Sequence, residues 1–162
     1  MIGIDPGTAT TGFGIIDEQS DGSLTCIQYG IIQTSPSLTM PERLAQIYED
    51  MQEILLLHQP QFAAVEKLFF QKNVTNAISV GQARGVVLLS LQQQHIPIRE
   101  FTPNEVKQAV SGYGAAGKKQ VQAMVRTILN LNEIPEPDDA ADALAVAICY
   151  QQTKHLQDLI ED

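Results

Sequence analysis

The chain has 162 residues, of which 44% are hydrophobic, and its formal net charge at pH 7 is −9. This length suits one domain with a single core over residues 1–162, and this composition excludes an intrinsically disordered chain. The longest apolar runs are too short to cross a bilayer, so we expect no membrane association. Cys26 and Cys149 lack metal-ligand or redox spacing, which favours free thiols in a reducing cytoplasm over a disulfide.

The first 34 residues favour three strands joined by short turns. Residues 1–5 form a short apolar stretch that meets a Pro-Gly turn signal. Residues 11–17 and 24–34 contain strand-forming residues, and an Asp-Gly hairpin turn lies between them. Three consecutive strands with such short connections predict an antiparallel meander.

From residue 39 the apolar residues recur at helical spacing. Thr39 and Glu42 form a capping box, and the helix that they begin ends near Pro60. The remaining predicted elements, in chain order, are strand 61–66, helix 75–94, strand 96–101 and helices 103–111, 118–131 and 139–157. This order predicts an α/β fold whose five-stranded mixed sheet is antiparallel first, parallel later and flanked by helices.

The charges are divided unevenly along the chain. Residues 67–126 carry eight bases and two acids, whereas the remainder carries two bases, Arg43 and Lys154, and seventeen acids. A solvated protein surface does not need such a separation of a basic middle from acidic ends. The separation therefore favours a nucleic-acid partner despite the negative net charge. Chance clustering on unrelated faces is the alternative.

Two acidic residues end apolar strands. Asp5 follows Ile-Gly-Ile, and on its own it fits a turn former before Pro-Gly. Glu66 ends Ala-Ala-Val-Glu, a run that we expect to be buried in the middle of the sheet. A carboxylate there needs a partner because burying it unpaired is expensive. A salt bridge to a neighbouring Lys or Arg and a functional role are equally good explanations.

Three more acids open the last predicted helix. Asp138 or Asp139 can cap it, but a cap needs only one Asp. Asp139 and Asp142 are three residues apart and therefore project from the same face of the first turn. The residues around them are mostly alanines, which let a helix lie close to a sheet. We therefore expect Asp139 and Asp142 to approach the two acids at the strand ends.

Four gathered carboxylates repel one another unless cations neutralise them. Oxygen ligands without Cys or His suit Mg²⁺ or Mn²⁺ rather than zinc. A site for two such ions serves phosphodiester hydrolysis, in which the ions activate water and stabilise the leaving oxygen. Asp5, Glu66, Asp139 and Asp142 therefore predict a two-ion Mg²⁺ site, with Mn²⁺ as the alternative.

Further motifs follow one another along nearly the whole chain. They are Ile4-Asp5-Pro6-Gly7 with Thr11-Gly12-Phe13-Gly14, Val65-Glu66 with Phe69 and Lys72-Asn73, Gly81-Gln82-Ala83-Arg84-Gly85, Val106-Lys107-Gln108, Lys118 with Gln120-Val121, and Asp139-Ala140-Ala141-Asp142-Ala143-Leu144-Ala145. The set resembles the RuvC-type Holliday-junction resolvases. The resemblance implies a ribonuclease H-like endodeoxyribonuclease that resolves four-way DNA junctions in recombination and repair. It also assigns metal binding to Asp5, Glu66, Asp139 and Asp142, with Asp138 as a capping or supporting neighbour.

The resemblance gives other residues a DNA-binding reading. Phe69 would stack on a base near the scissile phosphate, whereas Phe70 is expected to pack in the core or at an edge. Lys107 and Lys118 would contact phosphates, and for Lys119 a solvated side chain is the alternative. The complete expected DNA-binding set is Phe69, Lys72, Asn73, Arg84, Lys107, Lys118 and Lys119.

The resemblance also implies partners. The family acts as a homodimer, and the small residues Ala77, Gly81 and Gly85 recur every four residues along helix 75–94. They allow close approach either to a second copy or to the protein's own sheet. A branch-migration helicase complex of the RuvA–RuvB type is the other expected partner.

Two features depart from the family pattern, namely the acidic end of the chain and the overall acidity, and both predict a steep salt dependence of DNA affinity. Three alternatives stay open. The first loop, from Asp5 to Gly14, also resembles the phosphate loop of actin-like ATP-binding modules, which need two such domains. The others are a related nuclease that processes ribosomal RNA precursors and a DNA-binding protein without activity, which four intact acids disfavour.

Overall fold

A computed structural model describes residues 1–68 and 74–161. Five strands and five helices occur in these ranges. The strands are β1 (Ile2–Asp5), β2 (Thr10–Glu18), β3 (Leu24–Gln33), β4 (Ala63–Glu66) and β5 (Ile98–Phe101). The helices are α1 (Met40–His58), α2 (Val74–Gln93), α3 (Pro103–Ser111), α4 (Lys118–Ile128) and α5 (Asp138–Glu161). The predicted order of elements is confirmed.

The five strands form one mixed sheet in the order β3-β2-β1-β4-β5. β1, β2 and β3 pair antiparallel, while β4 pairs parallel with both β1 and β5. The predicted change from antiparallel to parallel pairing is therefore confirmed. Because β1 and β4 are parallel neighbours, their carboxyl ends meet at one edge of the sheet.

Each face of the sheet has its own hydrophobic cluster. On one face α1 and α2 pack over Ile2, Ile4 and Val65, which are fully buried. On the other face α5 covers the sheet, and α3 and α4 pack against it around Leu144 and Val125. Cys26 and Cys149 are unpaired thiols, as expected. Within the described residues none of the helices has the length and apolar character that a bilayer span requires.

Several predicted boundaries differ from the structure. The strand predicted over 61–66 begins at Ala63, and the last helix, predicted to end near residue 157, continues to Glu161. The helix predicted to run to residue 131 ends at Ile128, and Asn130 takes a positive φ of 51°. Likewise, the strand expected from residue 96 begins at Ile98, because His95 has a φ of 53°. Asparagine and histidine adopt this left-handed conformation more readily than most residues, and it interrupts both helix and strand.

Glycines let α5 lie directly on the backbone of the sheet. A Cβ atom at Gly12 would collide with the main-chain carbonyl oxygen of Asp139, and one at Gly3 would collide with that of Ala143. The facing side of α5 is alanine-rich, with Ala140 and Ala143 fully buried. No side-chain layer therefore separates the start of α5 from β1 and β2, and this contact places the acids of α5 at the sheet edge.

We expect Gly12→Ala to destabilise the protein by about 2 kcal/mol or more, the usual scale of an overpacked core. The added methyl group must displace the main chain at Asp139, which cannot move without shifting α5. The measurement is the free energy of unfolding from urea titration. Gly114→Ala is the matched control because the nearest atom to its Cβ position, Oε1 of Gln108, lies at 3.6 Å, an ordinary contact. Equal stability of the two variants would contradict the close approach of α5.

Candidate active site

Asp5 and Glu66 lie side by side at the carboxyl ends of β1 and β4. The register pairs Ile4 with Val65, so the next residue on each strand is one of these acids. The carboxyl group of Asp5 is hydrogen-bonded to that of Glu66. Burial, followed by the negative charges of Glu66 and Asp142, raises the pKa of Asp5 to about 8. Asp5 therefore holds a proton at neutral pH until a cation replaces it.

The first turn of α5 brings two more acids to this edge. Asp142 is partly buried, and burial raises its pKa above the ordinary value. Asp139 acts electrostatically on both Asp5 and Asp142, and in each case it raises the pKa. All four predicted carboxylates thus belong to one electrostatically connected group. Burial is also the largest cause of the raised pKa of Glu66.

Lys118, the first residue of α4, bridges two acids of α5. Its Nζ lies 3.1 Å from Oδ2 of Asp138 and 3.1 Å from Oδ2 of Asp142. Burial would lower the pKa of Lys118, but the hydrogen bonds to these two carboxylates outweigh it and the pKa is raised. Gln122 donates a 2.8 Å hydrogen bond to Oδ1 of Asp138, whose pKa is lowered by Gln122 and Lys118.

The chemistry of this donor set fits a hard divalent cation. Its members are carboxylates, whose oxygens such cations prefer, and their mutual repulsion adds to burial in raising the pKa of Asp5. Their present directions differ from those of a completed ligand set: Asp5 faces Glu66, and Asp142 faces Lys118. Within residues 1–68 and 74–161 no three acidic, His or Cys side chains converge as a formed metal cluster. A bound cation must therefore compete with the Asp5 proton and the Lys118 ammonium.

A cavity of about 200 Å³ opens beside these acids on the side of α3 and α4. Its polar wall contains Glu66, Lys107, Lys118 and Asp142. Lys107 and Lys118 lower the pKa of Glu66, so both cations act on the active-site group. Lys119 is exposed next to Lys118, outside this wall. The two lysines that the resemblance marks as phosphate contacts therefore line the same cavity as Glu66 and Asp142.

Arg84 turns toward the protein rather than toward the cavity. Its guanidinium group pairs with Glu100 of β5, and its Nε donates a 3.4 Å hydrogen bond to the main-chain oxygen of Glu66. The side chain is 20% exposed. Sequence reasoning placed Arg84 among the DNA contacts and missed Glu100. In the structure Arg84 connects α2 to the strand end that carries Glu66.

Ala83 and Val87 form the fully buried side of α2, whereas Gly85 is exposed and Ala77 and Gly81 are half-buried. The Cβ position of Gly81 lies 3.7 Å from Cδ1 of Leu68. Close approach to a second copy therefore stays a prediction for this stripe. Phe69, Phe70, Lys72 and Asn73 lie outside the described residues.

Sequence reasoning overlooked the residues that bring the site together. Gly12 and Gly14 alternate along β2 and face α5, as does Gly3 on β1. Glycines two residues apart in a strand share one face, which is the signal that a helix approaches closely there. Gln122, which holds Asp138, carried no comparable signal because its partner lies 16 residues away.

A mixed sheet of this order, with acids at adjoining strand ends and at the start of a covering helix, defines a ribonuclease H-like nuclease. The model of the family "Crossover junction endodeoxyribonuclease RuvC" matches residues 1–150. The chain belongs to this family, whose nucleases are metal-dependent. It is accordingly a hydrolase that cuts DNA at crossover junctions, and this excludes the ATP-binding, ribosomal-RNA and inactive alternatives.

Individual relatives cover almost the whole chain. The crossover junction endodeoxyribonuclease RuvC of Brevibacillus brevis is 52% identical over 94% of this chain and 91% of its own length. That of Syntrophomonas wolfei is 51% identical over 99% of this chain and 93% of its own. A solved structure of Thermus thermophilus RuvC in complex with Holliday junction substrate has a TM-score of 0.91 at 34% identity, covering 97% of this chain and 96% of that one.

The raised pKa of Asp5 predicts that the free energy of unfolding of the metal-free protein falls as the pH rises. Folded Asp5 keeps its proton up to about pH 8, whereas unfolded Asp5 loses it near the ordinary value of 3.8. Its contribution to stability is thus present below pH 4 and is lost as the pH rises from about 4 to about 8. In chelator, Asp5→Asn should gain stability relative to wild type across this range, as measured by urea unfolding. Glu53→Gln on the exposed side of α1 is the control, and an equal gain in both variants would contradict the assignment.

Proposed function

We propose that this chain resolves four-way DNA junctions by symmetric hydrolysis in recombination and repair, using two Mg²⁺ ions per subunit. Mn²⁺ is the alternative ion. The observation that carries the proposal is the coupled group of Asp5, Glu66 and Asp142, which holds a proton and a lysine in place of cations. The solved complex of the Thermus thermophilus relative with a Holliday junction supports this substrate.

Asp5, Glu66, Asp139 and Asp142 are the proposed metal ligands. When bound, the ions would supply an activated water and stabilise the leaving oxygen, which gives 5′-phosphate and 3′-hydroxyl ends. The chain's own contribution is to hold these oxygens at one edge and to exclude other cations. Lys118 would break its 3.1 Å ion pair with Asp142 and bind a phosphate oxygen instead. Its exposed side chain has room for this change.

The proposed DNA contacts divide into two groups. Lys107 and Lys118 line the cavity beside the acids and would bind backbone phosphates, with Lys119 adding charge at the same helix end. Phe69, Lys72 and Asn73 stay in the proposal as residues that approach the bases and backbone after β4. For Arg84 we replace DNA contact with a supporting role, because its guanidinium group is paired with Glu100 beside Glu66.

The proposed dimer forms through the outward side of α2. Ala77, Gly81 and Gly85 share this side with Ile78 and Leu89, which are 64% and 52% exposed. Two large apolar side chains beside glycines are typical of a face that packs closely on a partner. Two active sites related by a twofold axis would account for paired, symmetric nicks.

Three wider proposals accompany this function, namely a helicase partner, a cellular location and a single domain. A branch-migration helicase complex of the RuvA–RuvB type would present the junction, and the enzyme would act on the bacterial nucleoid in the cytoplasm. The contacts of α5 with β1, β2 and β4 support one domain over residues 1–162. These proposals concern the setting of the reaction rather than its chemistry.

Asp5→Asn and Glu66→Gln should each abolish cleavage while leaving junction binding intact. Loss of one ligand from a two-ion site removes several kcal/mol of transition-state stabilisation, roughly a thousandfold or more in rate. The measurement is magnesium-dependent cleavage of a four-way junction, with duplex DNA and structured RNA alongside. Binding in Ca²⁺ serves as the control for folding. Cleavage by Asp5→Asn near the wild-type rate would refute the proposed site.

Ile78→Glu should convert the dimer to a monomer, because a carboxylate buried in an apolar interface is expensive. Sedimentation at micromolar concentration measures the oligomeric state. Leu57→Glu is the matched control, since Leu57 is 73% exposed on α1 and belongs to no proposed interface. A dimeric Ile78→Glu protein, or a monomeric wild type, would contradict the α2 interface.

A further inference from the structure

A second cavity, of about 430 Å³, reaches the active-site acids from the opposite face of the sheet. Its walls come from the β1–β2 turn (Gly7–Thr10), from Arg43 of α1, and from Asn76 and Ser79 of α2. Asp139 also lines it, so the cavity is continuous with the acidic group. The lysine-lined cavity lies on the side of α3 and α4. Asp139 therefore lines one cavity, Glu66 and Asp142 line the other, and each cavity has a basic side chain in its wall.

Arg43 is conspicuous because of where it occurs. It is the only lysine or arginine in residues 1–66, a stretch rich in acids. Its Nε donates a 3.1 Å hydrogen bond to the main-chain oxygen of Ser35, which anchors the base of the guanidinium group. Among the residues that the structure describes, no carboxylate forms an ion pair with Arg43. Only Nε of Arg43 is hydrogen-bonded, so the terminal nitrogens of its guanidinium group can donate to an anion.

Hydrogen bonds hold the β1–β2 turn beside Arg43, but one of its polar side-chain atoms has no partner. Thr11 holds the turn by a hydrogen bond to Gly7 of 2.7 Å, and Thr34 donates one of 2.6 Å to the main-chain oxygen of Thr8. Thr8 is only 7% exposed, and its hydroxyl group is buried without a hydrogen-bond partner. Buried hydroxyl groups normally have partners, so an unsatisfied one beside a cavity points to a ligand.

We propose that this cavity binds a phosphate of the cleaved DNA strand, on the opposite side of the metal centre from Lys107 and Lys118. Arg43 supplies the charge for this phosphate, and the Thr8 hydroxyl and Asn76 amide supply neutral hydrogen bonds. The inference rests on the proposed function, since it requires the strand to pass over Asp5 and Glu66. The strand is thereby held on both sides of the scissile phosphate, which fixes it in line for hydrolysis.

The first test compares the salt dependence of junction binding in Ca²⁺, where no cleavage occurs. Arg43→Gln should weaken binding and reduce the magnitude of the salt slope by about one, as expected for one lost phosphate contact. Arg43→Lys should keep the slope, and Lys107→Ala is the positive control. Arg126→Gln removes an exposed arginine elsewhere and should change neither quantity. A wild-type slope for Arg43→Gln would overturn the proposal.

The second test locates the phosphate, and its first measurement needs only wild-type protein, so that this measurement does not depend on whether a variant folds. Junctions in which single phosphates are replaced by neutral methylphosphonate should reveal a sensitive position on each side of the scissile bond. Arg43→Gln should be insensitive at one of them, and Lys107→Ala at the other. Sensitivity on one side alone would refute phosphate binding in the second cavity, but it would not contradict the proposed function. Absence of junction binding by wild type would instead refute the proposed function.

Discussion

The direct contact between α5 and the sheet is the constraint on which the active site depends. Two of the four acids belong to the strands and two to the helix, so their separation is set by the distance between these layers. Gly3 and Gly12 reduce that distance to backbone contact. A sheet covered in the ordinary way, through a layer of larger side chains, would hold Asp139 and Asp142 several ångströms further from Asp5.

This geometry has an electrostatic cost that the protein offsets in several ways. Burial and neighbouring charges raise the pKa of Asp5, so that it resists ionisation, and Lys118 forms ion pairs with Asp142 and with its neighbour Asp138. Both arrangements are reversible, because a divalent cation can displace a proton and an ammonium group can turn to another anion. The acids of the metal-free protein are thus already grouped in a way that a divalent cation would stabilise. Lys118 in particular pairs with acids of α5 while it also lines the cavity beside α3 and α4.

The sequence was informative where one local pattern decided the outcome. Asp5 and Glu66 end apolar runs, so their place at strand ends followed from the pattern, and Asp139 and Asp142 followed from helical spacing. Partners distant in the chain were not accessible in this way. The family resemblance implied a DNA contact for Arg84, and only the fold shows that Arg84 pairs with Glu100. The boundaries at Ile128 and Ile98 depended on single left-handed residues, which periodicity does not register.

The uneven distribution of charge has a consequence for how this enzyme selects its substrate. The chain has a net charge of −9, and its basic residues are concentrated in residues 67–126. A long duplex that lies along the whole protein therefore meets a net charge of its own sign, whatever its sequence. A branched substrate can bend its strands away from the acidic flanks while one backbone crosses the basic part. Discrimination by shape can thus arise from repulsion as much as from contact, and the same repulsion helps the cut product to depart.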